Sequence, residues 1–92
     1  MKRCIKVIFE ISDAQKYLED VVAKESVKWG VQGVGQQIKK GFVQLFVMGQ
    51  EDQIDNFLDC LYITDSAYVL KNIEIETCVS DHSFRGVFRI VE

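Results

Sequence analysis

The feature that most constrains the fold is the hydrophobic pattern of this 92-residue chain. Segments with the two-residue period of a strand are followed by segments with the period of a helix. Residues 4–11 alternate in polarity, as expected of a half-buried strand. Residues 13–28 carry apolar side chains at helical spacing, and Gly30 fits the position just past a helix end. A strand followed directly by an amphipathic helix indicates a sheet with its helices packed on one face.

The rest of the chain also consists of strand-like and helix-like segments. Its further elements are a strand over 31–38, a hairpin turn at 39–41, a strand over 42–48, a helix opened by Gly49, a strand within 68–79 and a strand over 84–91. The order β-α-β-β-α-β-β predicts an α+β fold, a ferredoxin-like βαββαβ sandwich with an additional C-terminal strand and two helices on one face of an antiparallel sheet. No linker-like segment interrupts residues 1–92, so we expect a single domain.

Local signals set the expected ends and faces of these elements. Ser12 and Gln15 have the spacing of a capping box, which would satisfy the first N–H groups of the first helix. In the fourth strand, Ile73 and Ile75 are expected to point inward. The predicted core comprises Ile5, Val7, Phe9, Leu18, Val21, Leu45, Phe57, Leu58 and Ile73.

Composition limits the classes of function. The net charge of −3 disfavours nucleic-acid and membrane-surface binding, which usually require a basic excess. The cysteines, Cys4, Cys60 and Cys78, are odd in number and irregularly spaced, which predicts three reduced thiols in a cytoplasmic protein. His82 is the only histidine and is predicted to be a surface loop residue, so we expect no metal and no cofactor.

A set of short motifs resembles the acylphosphatase family. The helix-ending segment 29–33, the turn glycine Gly41 and Gly49 before the second helix follow that family's frame. The segment 67–69 resembles its entry to the fourth strand, and 88–90 resembles its closing Phe-x-Ile. The resemblance covers nearly the whole chain and implies the acylphosphatase-like fold.

The same resemblance implies that the family's catalytic positions have changed. In that family, a glycine-rich loop and an arginine hold the phosphate, and an asparagine positions the attacking water. In this register the loop would fall near residues 11–19, the arginine position holds Glu19, and the asparagine position holds Gln37. The letters of segment 31–35 resemble the signature itself, but they follow the first helix rather than precede it, so we interpret that match as accidental.

The sequence therefore predicts an acylphosphatase-like hydrolase homologue without efficient acyl-phosphate hydrolysis. Its expected role is a non-catalytic interaction or binding module. Its partner would be an unidentified protein or a small phosphorylated ligand, with no nucleic acid and no membrane, and the chain would be a monomer or weak homodimer. The alternative is an active acylphosphatase that hydrolyses the carboxyl-phosphate bond of acyl phosphates.

A second alternative is an RNA-recognition-type domain, which shares the βαββαβ order. The segment 40–43 resembles the start of that domain's aromatic signature, but Gln44 stands at its next stacking position. Phe9 is predicted to point into the core rather than towards RNA. Cys60 and Trp29 are predicted to be packing residues. A nucleotide-binding loop would lead into a helix, but the glycines of 30–35 start no helix, so we do not interpret them as such a loop.

Overall fold

The computed structural model describes residues 2–62, 70–78 and 88–91. The strands are β1 (Lys2–Glu10), β2 (Gln32–Lys39), β3 (Phe42–Gln50), β4 (Lys71–Thr77) and β5 (Phe88–Val91). The helical segments are α1 (Ala14–Tyr17), a π-helical segment (Leu18–Val22), α2 (Ala23–Trp29) and α3 (Glu51–Tyr62). The first three helical segments follow one another without a break, so the predicted first helix is present as residues 14–29.

The strands form one sheet in the order β4-β1-β3-β2-β5. The pairs β1–β3, β1–β4 and β2–β3 are antiparallel. The antiparallel sheet predicted for the first six elements is therefore confirmed. The additional C-terminal strand, β5, runs parallel to β2, a pairing that the sequence did not predict. A parallel partner requires a crossover connection, and periodicity along the sequence cannot show to which edge a last strand returns.

The core lies between the helices and one face of the sheet. Phe9, with 1% exposure, packs edge-on against the buried ring of Tyr17, and their ring centroids are 5.6 Å apart. Most of the predicted core is confirmed, whereas Val21, Leu58 and Ile73 are only partly buried against it. The buried apolar side chains are Ile5, Val7, Phe9, Ile11, Ala14, Tyr17, Leu18, Val22, Val31, Val43, Leu45, Val47, Ile54, Phe57 and Leu61.

Ile75 differs from expectation in exposure rather than in direction. It lies opposite the buried Val7, so it is on the helix-covered face, yet its side chain is 45% exposed. The reason is its position on β4, an edge strand of the sheet. Alternation predicts the face of a strand residue but not the extent of the layer that covers it.

Two glycine positions were predicted correctly, and one helix start was not. Gly30 ends α2 with a φ of 69°, and Gly41 has a φ of 83° in the turn between β2 and β3. Gly49 does not open the second helix, because β3 continues to Gln50 and α3 begins at Glu51. The Gln53 side chain accepts a hydrogen bond from the Gln50 N–H at 2.9 Å, so a glutamine rather than a glycine marks the start of this helix.

Gly33 and Gly35 explain why the segment 31–35 is rich in glycine. Both lie on β2, which confirms that this segment is not the loop before the first helix. A Cβ on Gly33, whose φ is 152°, would overlap the backbone oxygen of Phe46. A Cβ on Gly35 would lie 3.1 Å from Cδ2 of Leu18. These glycines therefore allow close packing.

We expect Gly33→Ala to lower the free energy of unfolding by about 1–3 kcal/mol, because the new Cβ combines an unfavourable φ with a backbone overlap. Urea denaturation would measure the change. Gly41→Ala is the matched control, since Gly41 also has a positive φ but its Cβ would meet only the Ile11 oxygen at 3.8 Å. An equal loss of stability in the two variants would contradict the close-packing role of Gly33.

Candidate functional site

The candidate site lies where β1 passes into the first helix. β1 ends at Glu10 and α1 begins at Ala14, so only residues 11–13 connect them. Ile11 is buried, and its N–H donates a hydrogen bond to the Gly41 oxygen at 2.8 Å. This bond fixes the connection against the β2–β3 turn, at the end of the sheet where a family-like phosphate site is expected.

The predicted capping box is not formed. The N-cap is Asp13 in a left-handed conformation with a φ of 56°, and no side chain caps the helix. With Asp13 at the N-cap, Gln15 is one position too early to reach back to it. Instead, the Gln15 amide donates to the Glu19 carboxylate at 3.1 Å. The Ser12 hydroxyl therefore does not cap the first N–H groups of this helix.

Glu19 lies in the π-helical segment Leu18–Val22, and its side chain is exposed. It is thus more than one helical turn beyond the connection at residues 11–13. The span 11–19 that should hold the glycine-rich loop consists of this connection followed by helical structure from Ala14 onward. A helical backbone directs its N–H groups along the axis into intrahelical bonds, so this span offers no extended loop of converging donors.

Gln37 lies near the end of β2 and is exposed. It pairs with the buried Val43 of β3, so its side chain is on the helix-covered face of the sheet. The first helical turn, Ala14–Tyr17, contacts β2. Gln37 therefore lies at the same end of the sheet as the connection between β1 and α1.

The structure brings together only part of the predicted site. Gln37 and residues 11–13 share one end of the sheet, whereas Glu19 bonds to Gln15 on its own helix. Within residues 2–62, 70–78 and 88–91, no hydrogen bond or ion pair joins Glu19 to Gln37. The two positions inferred from the family therefore do not form one polar cluster.

The described arginines, Arg3 and Arg89, do not place a positive charge at this end of the sheet. Arg3 lies at the opposite end of β1 from Glu10 and forms an ion pair with Glu51 at 3.0 Å. Arg85 and His82 lie outside the described residues. Arg89 on β5 pairs with Val34, which faces away from the helices. No described arginine is therefore placed at the end of the sheet that carries Gln37.

The face of the sheet opposite the helices is not covered by any described element. Phe42 and Phe46 of β3 lie on this open face, because they alternate with the buried Val43, Leu45 and Val47. Both are half-buried, and Gln44 lies between them. Phe9 is on the other face, in the core, which confirms that the β1 aromatic is not available as a stacking platform for RNA.

The interface between the two helices holds a polar contact that the sequence did not reveal. The Trp29 indole N–H donates to the Glu25 carboxylate at 3.2 Å and to Cys60 Sγ at 3.1 Å. Cys60 is half-buried and is the free cysteine of the structure. No described histidine is available to activate it, so its placement agrees with the predicted packing role of both Cys60 and Trp29.

The prediction of three reduced thiols is wrong, because Cys4 and Cys78 form a disulfide. They are separated by 74 positions in sequence, yet β1 and β4 are neighbours in the sheet. The number and spacing of cysteines could not reveal this pair, since the pairing depends on the strand order. The expectation of a cytoplasmic location loses the support that it drew from reduced cysteines.

No described helix has the length and apolar character needed to cross a lipid bilayer. Within the residues that can be described, no group of three acidic, histidine or cysteine side chains is arranged to hold a metal ion.

Neither a protein-family model nor a curated protein sequence matches this chain. Solved structures do match it. The acylphosphatase from Bacillus subtilis aligns over all of both chains with a TM-score of 0.84 and 17% identity. The acylphosphatase from Coxiella burnetii aligns with a TM-score of 0.78 and 23% identity over 98% of this chain and 93% of that one.

A third match is part of a larger protein. Full-length HypF, solved in its phosphate- and nucleotide-bound form, aligns with all of this chain at a TM-score of 0.84 and 19% identity, over 12% of its own length. Identities this low carry information on the fold but not on individual site residues. The strand order, the helices on one face and the match to solved acylphosphatases over the full chain together show that this protein has the acylphosphatase-like α+β fold.

Proposed function

We propose that this chain is a non-catalytic acylphosphatase-like domain that acts as an interaction or binding module. The observation that carries the proposal is the short connection at residues 11–13, after which the backbone is helical through Glu19. A phosphate cradle needs several backbone N–H groups that converge on one anion. A helical span over these residues supports the view that such a cradle is lacking.

The side chains at the two family positions support the same proposal. A carboxylate at Glu19 would repel the dianionic phosphate of a substrate, where an arginine would bind it. Gln37 retains an amide, but its extra methylene would displace a positioned water by about 1 Å, which is enough for a large loss of rate. The loss of one charge-assisted contact to the transition state by itself raises the activation free energy by about 3 kcal/mol or more.

We expect the purified protein to hydrolyse benzoyl phosphate little faster than buffer does. The reason is that substrate phosphate would meet neither an arginine nor a glycine-rich loop. Glu19→Arg, Gln37→Asn and the double variant should not restore turnover, because neither change rebuilds the loop. Asp20→Arg is the charge-matched control, since Asp20 is the exposed acidic neighbour of Glu19 on the same helical segment.

One observation favours the alternative of an active enzyme. The first N–H groups of α1 are not capped by a side chain, so they could meet an anion. A titration with inorganic phosphate, followed by the amide NMR signals of residues 13–16, tests this point directly. Turnover in the usual enzyme range of about 1–1,000 per second, inhibited by phosphate, would establish the alternative and refute our proposal.

The binding role is proposed for the open face of the sheet. Its central positions combine apolar side chains, Ile8, Val34 and Phe46, with polar ones, and none is covered by a described element. Side chains that are apolar and only half-buried on an uncovered face suit a protein partner or a second copy of the chain. Sedimentation velocity over a range of concentrations would distinguish a monomer from a weak homodimer.

A further inference from the structure

The disulfide joins β4, one of the two edge strands of the sheet, to β1, its only neighbour among the described strands. Cys4 is on β1, and Cys78 directly follows β4. The register places Ile5 opposite Thr77, so the two cysteines are opposite each other, with Cα atoms 5.2 Å apart. The Cys78 N–H also donates to the Cys4 oxygen at 3.0 Å. The covalent bond therefore closes the β1–β4 ladder at the end where β1 begins and β4 ends.

Apart from the backbone ladder with β1, the contacts that hold β4 are weak for a sheet strand. Of its seven side chains only Ile73 is partly buried, and the others are exposed. The ion pair between Lys6 and Glu76 spans 3.7 Å, and Glu76 is 65% exposed, so it adds little. Asn72 donates to the Glu10 carboxylate at 2.9 Å, but this contact is at the opposite end of the strand from Cys78. The disulfide is thus the strongest restraint at the C-terminal end of β4.

We infer that the Cys4–Cys78 disulfide is a redox-sensitive clamp that holds the C-terminal end of β4 on β1, and that reduction by a dithiol releases this end. The reaction is a two-electron thiol–disulfide exchange. The bond between the two Sγ atoms breaks, the two sulfurs take up two protons to become thiols, and the dithiol is oxidised to its own disulfide. Both cysteines are half-buried, which leaves them open to attack by a small reductant.

The release leaves an unpaired edge on β1. β1 would lose its β4 partner near Ile5, so backbone N–H and C=O groups there become unpaired. This consequence does not depend on the proposed absence of catalysis, because Cys4 lies at the opposite end of β1 from the connection to α1.

Cys60 cannot replace either partner of this disulfide. It lies on α3, whose Phe57 and Leu61 are buried in the core between the helices and the sheet. Cys4 alternates with the core-facing Ile5, so its side chain is on the open face. The sheet therefore separates Cys60 from Cys4, and Cys60 serves as an internal control for general effects of reductant.

Hydrogen exchange followed by mass spectrometry tests the clamp on the full chain, with and without dithiothreitol. We expect exchange in peptides covering residues 71–78 to become at least about tenfold faster on reduction, and to be clearly faster than exchange in β3 of the same reduced protein. Exchange in β3 also rises, because reduction lowers the stability of the whole domain, but it still requires global unfolding. Cys78→Ser should show the fast pattern without reductant. Cys60→Ser should respond to reductant as the wild type does.

Three results would overturn the inference. One is unchanged exchange over residues 71–78 on reduction. Another is equal protection of β3 and residues 71–78 in the reduced protein, which would mean that the whole domain opens rather than the strand. The third is a count of three free thiols in protein purified without reductant. If Cys78→Ser does not fold, the comparison of oxidised and reduced wild type still decides between these outcomes.

Discussion

Reduction of the Cys4–Cys78 disulfide is expected to lower the free energy of unfolding by about 4 kcal/mol. The loop that it closes spans 74 positions of the 92-residue chain, so the disulfide removes much conformational freedom from the unfolded state. A domain of this size has a net stability of about 5–15 kcal/mol, so the expected change is a large part of the total. Urea unfolding of the protein with and without reductant measures the difference.

The matched control for this prediction is the free cysteine. Cys60→Ser leaves the disulfide intact. The free energy of unfolding of this variant should therefore fall on reduction by the same amount as that of the wild type. Cys4→Ser should start at the lower value and show no further response to reductant. A wild type whose midpoint in urea is the same under both conditions would contradict the prediction and would agree with three reduced thiols instead.

Phe9→Ala is expected to lower the free energy of unfolding by about 3–5 kcal/mol. The ring is 1% exposed and lies against Tyr17, so its removal leaves a cavity between the sheet and the first helix. Thermal or urea denaturation gives the magnitude. Phe46→Ala is the matched control, because it removes the same ring from the half-buried open face, and we expect a clearly smaller loss.

The same pair of variants tests the RNA-binding alternative. If the domain bound single-stranded RNA by stacking, the rings concerned would be Phe42 and Phe46 on the open face. Affinity for an unstructured RNA, measured by fluorescence anisotropy, should be negligible in the wild type. Measurable binding that is lost in Phe46→Ala but retained in a folded Phe9→Ala would establish the RNA-binding alternative.

Only part of the candidate site could be predicted from the sequence. The family frame located Gln37 on the second strand, which a pattern of strands and turns can predict, and the structure shows it there on β2. It could not show that Asp13 rather than Ser12 would be the N-cap, because the one-residue shift depends on how the chain leaves β1. The Ile11 N–H bond to Gly41 is a contact between two separate connections, and local propensity contains no information on it.

The sequence by itself determined the elements and the faces that they bury. Alternation placed Phe9 in the core, and the conformational freedom of glycine identified Gly30 and Gly41 as a helix end and a turn. These features depend on local periodicity and on backbone sterics, which short segments carry with them.

Only the tertiary structure decided which distant parts meet. It paired β5 parallel with β2, left Ile75 exposed on an edge strand, and joined Cys4 to Cys78 across 74 positions. Each of these results depends on strand order. Strand order is fixed by the packing of the whole domain, because the central strands must bury their apolar faces against the same helices.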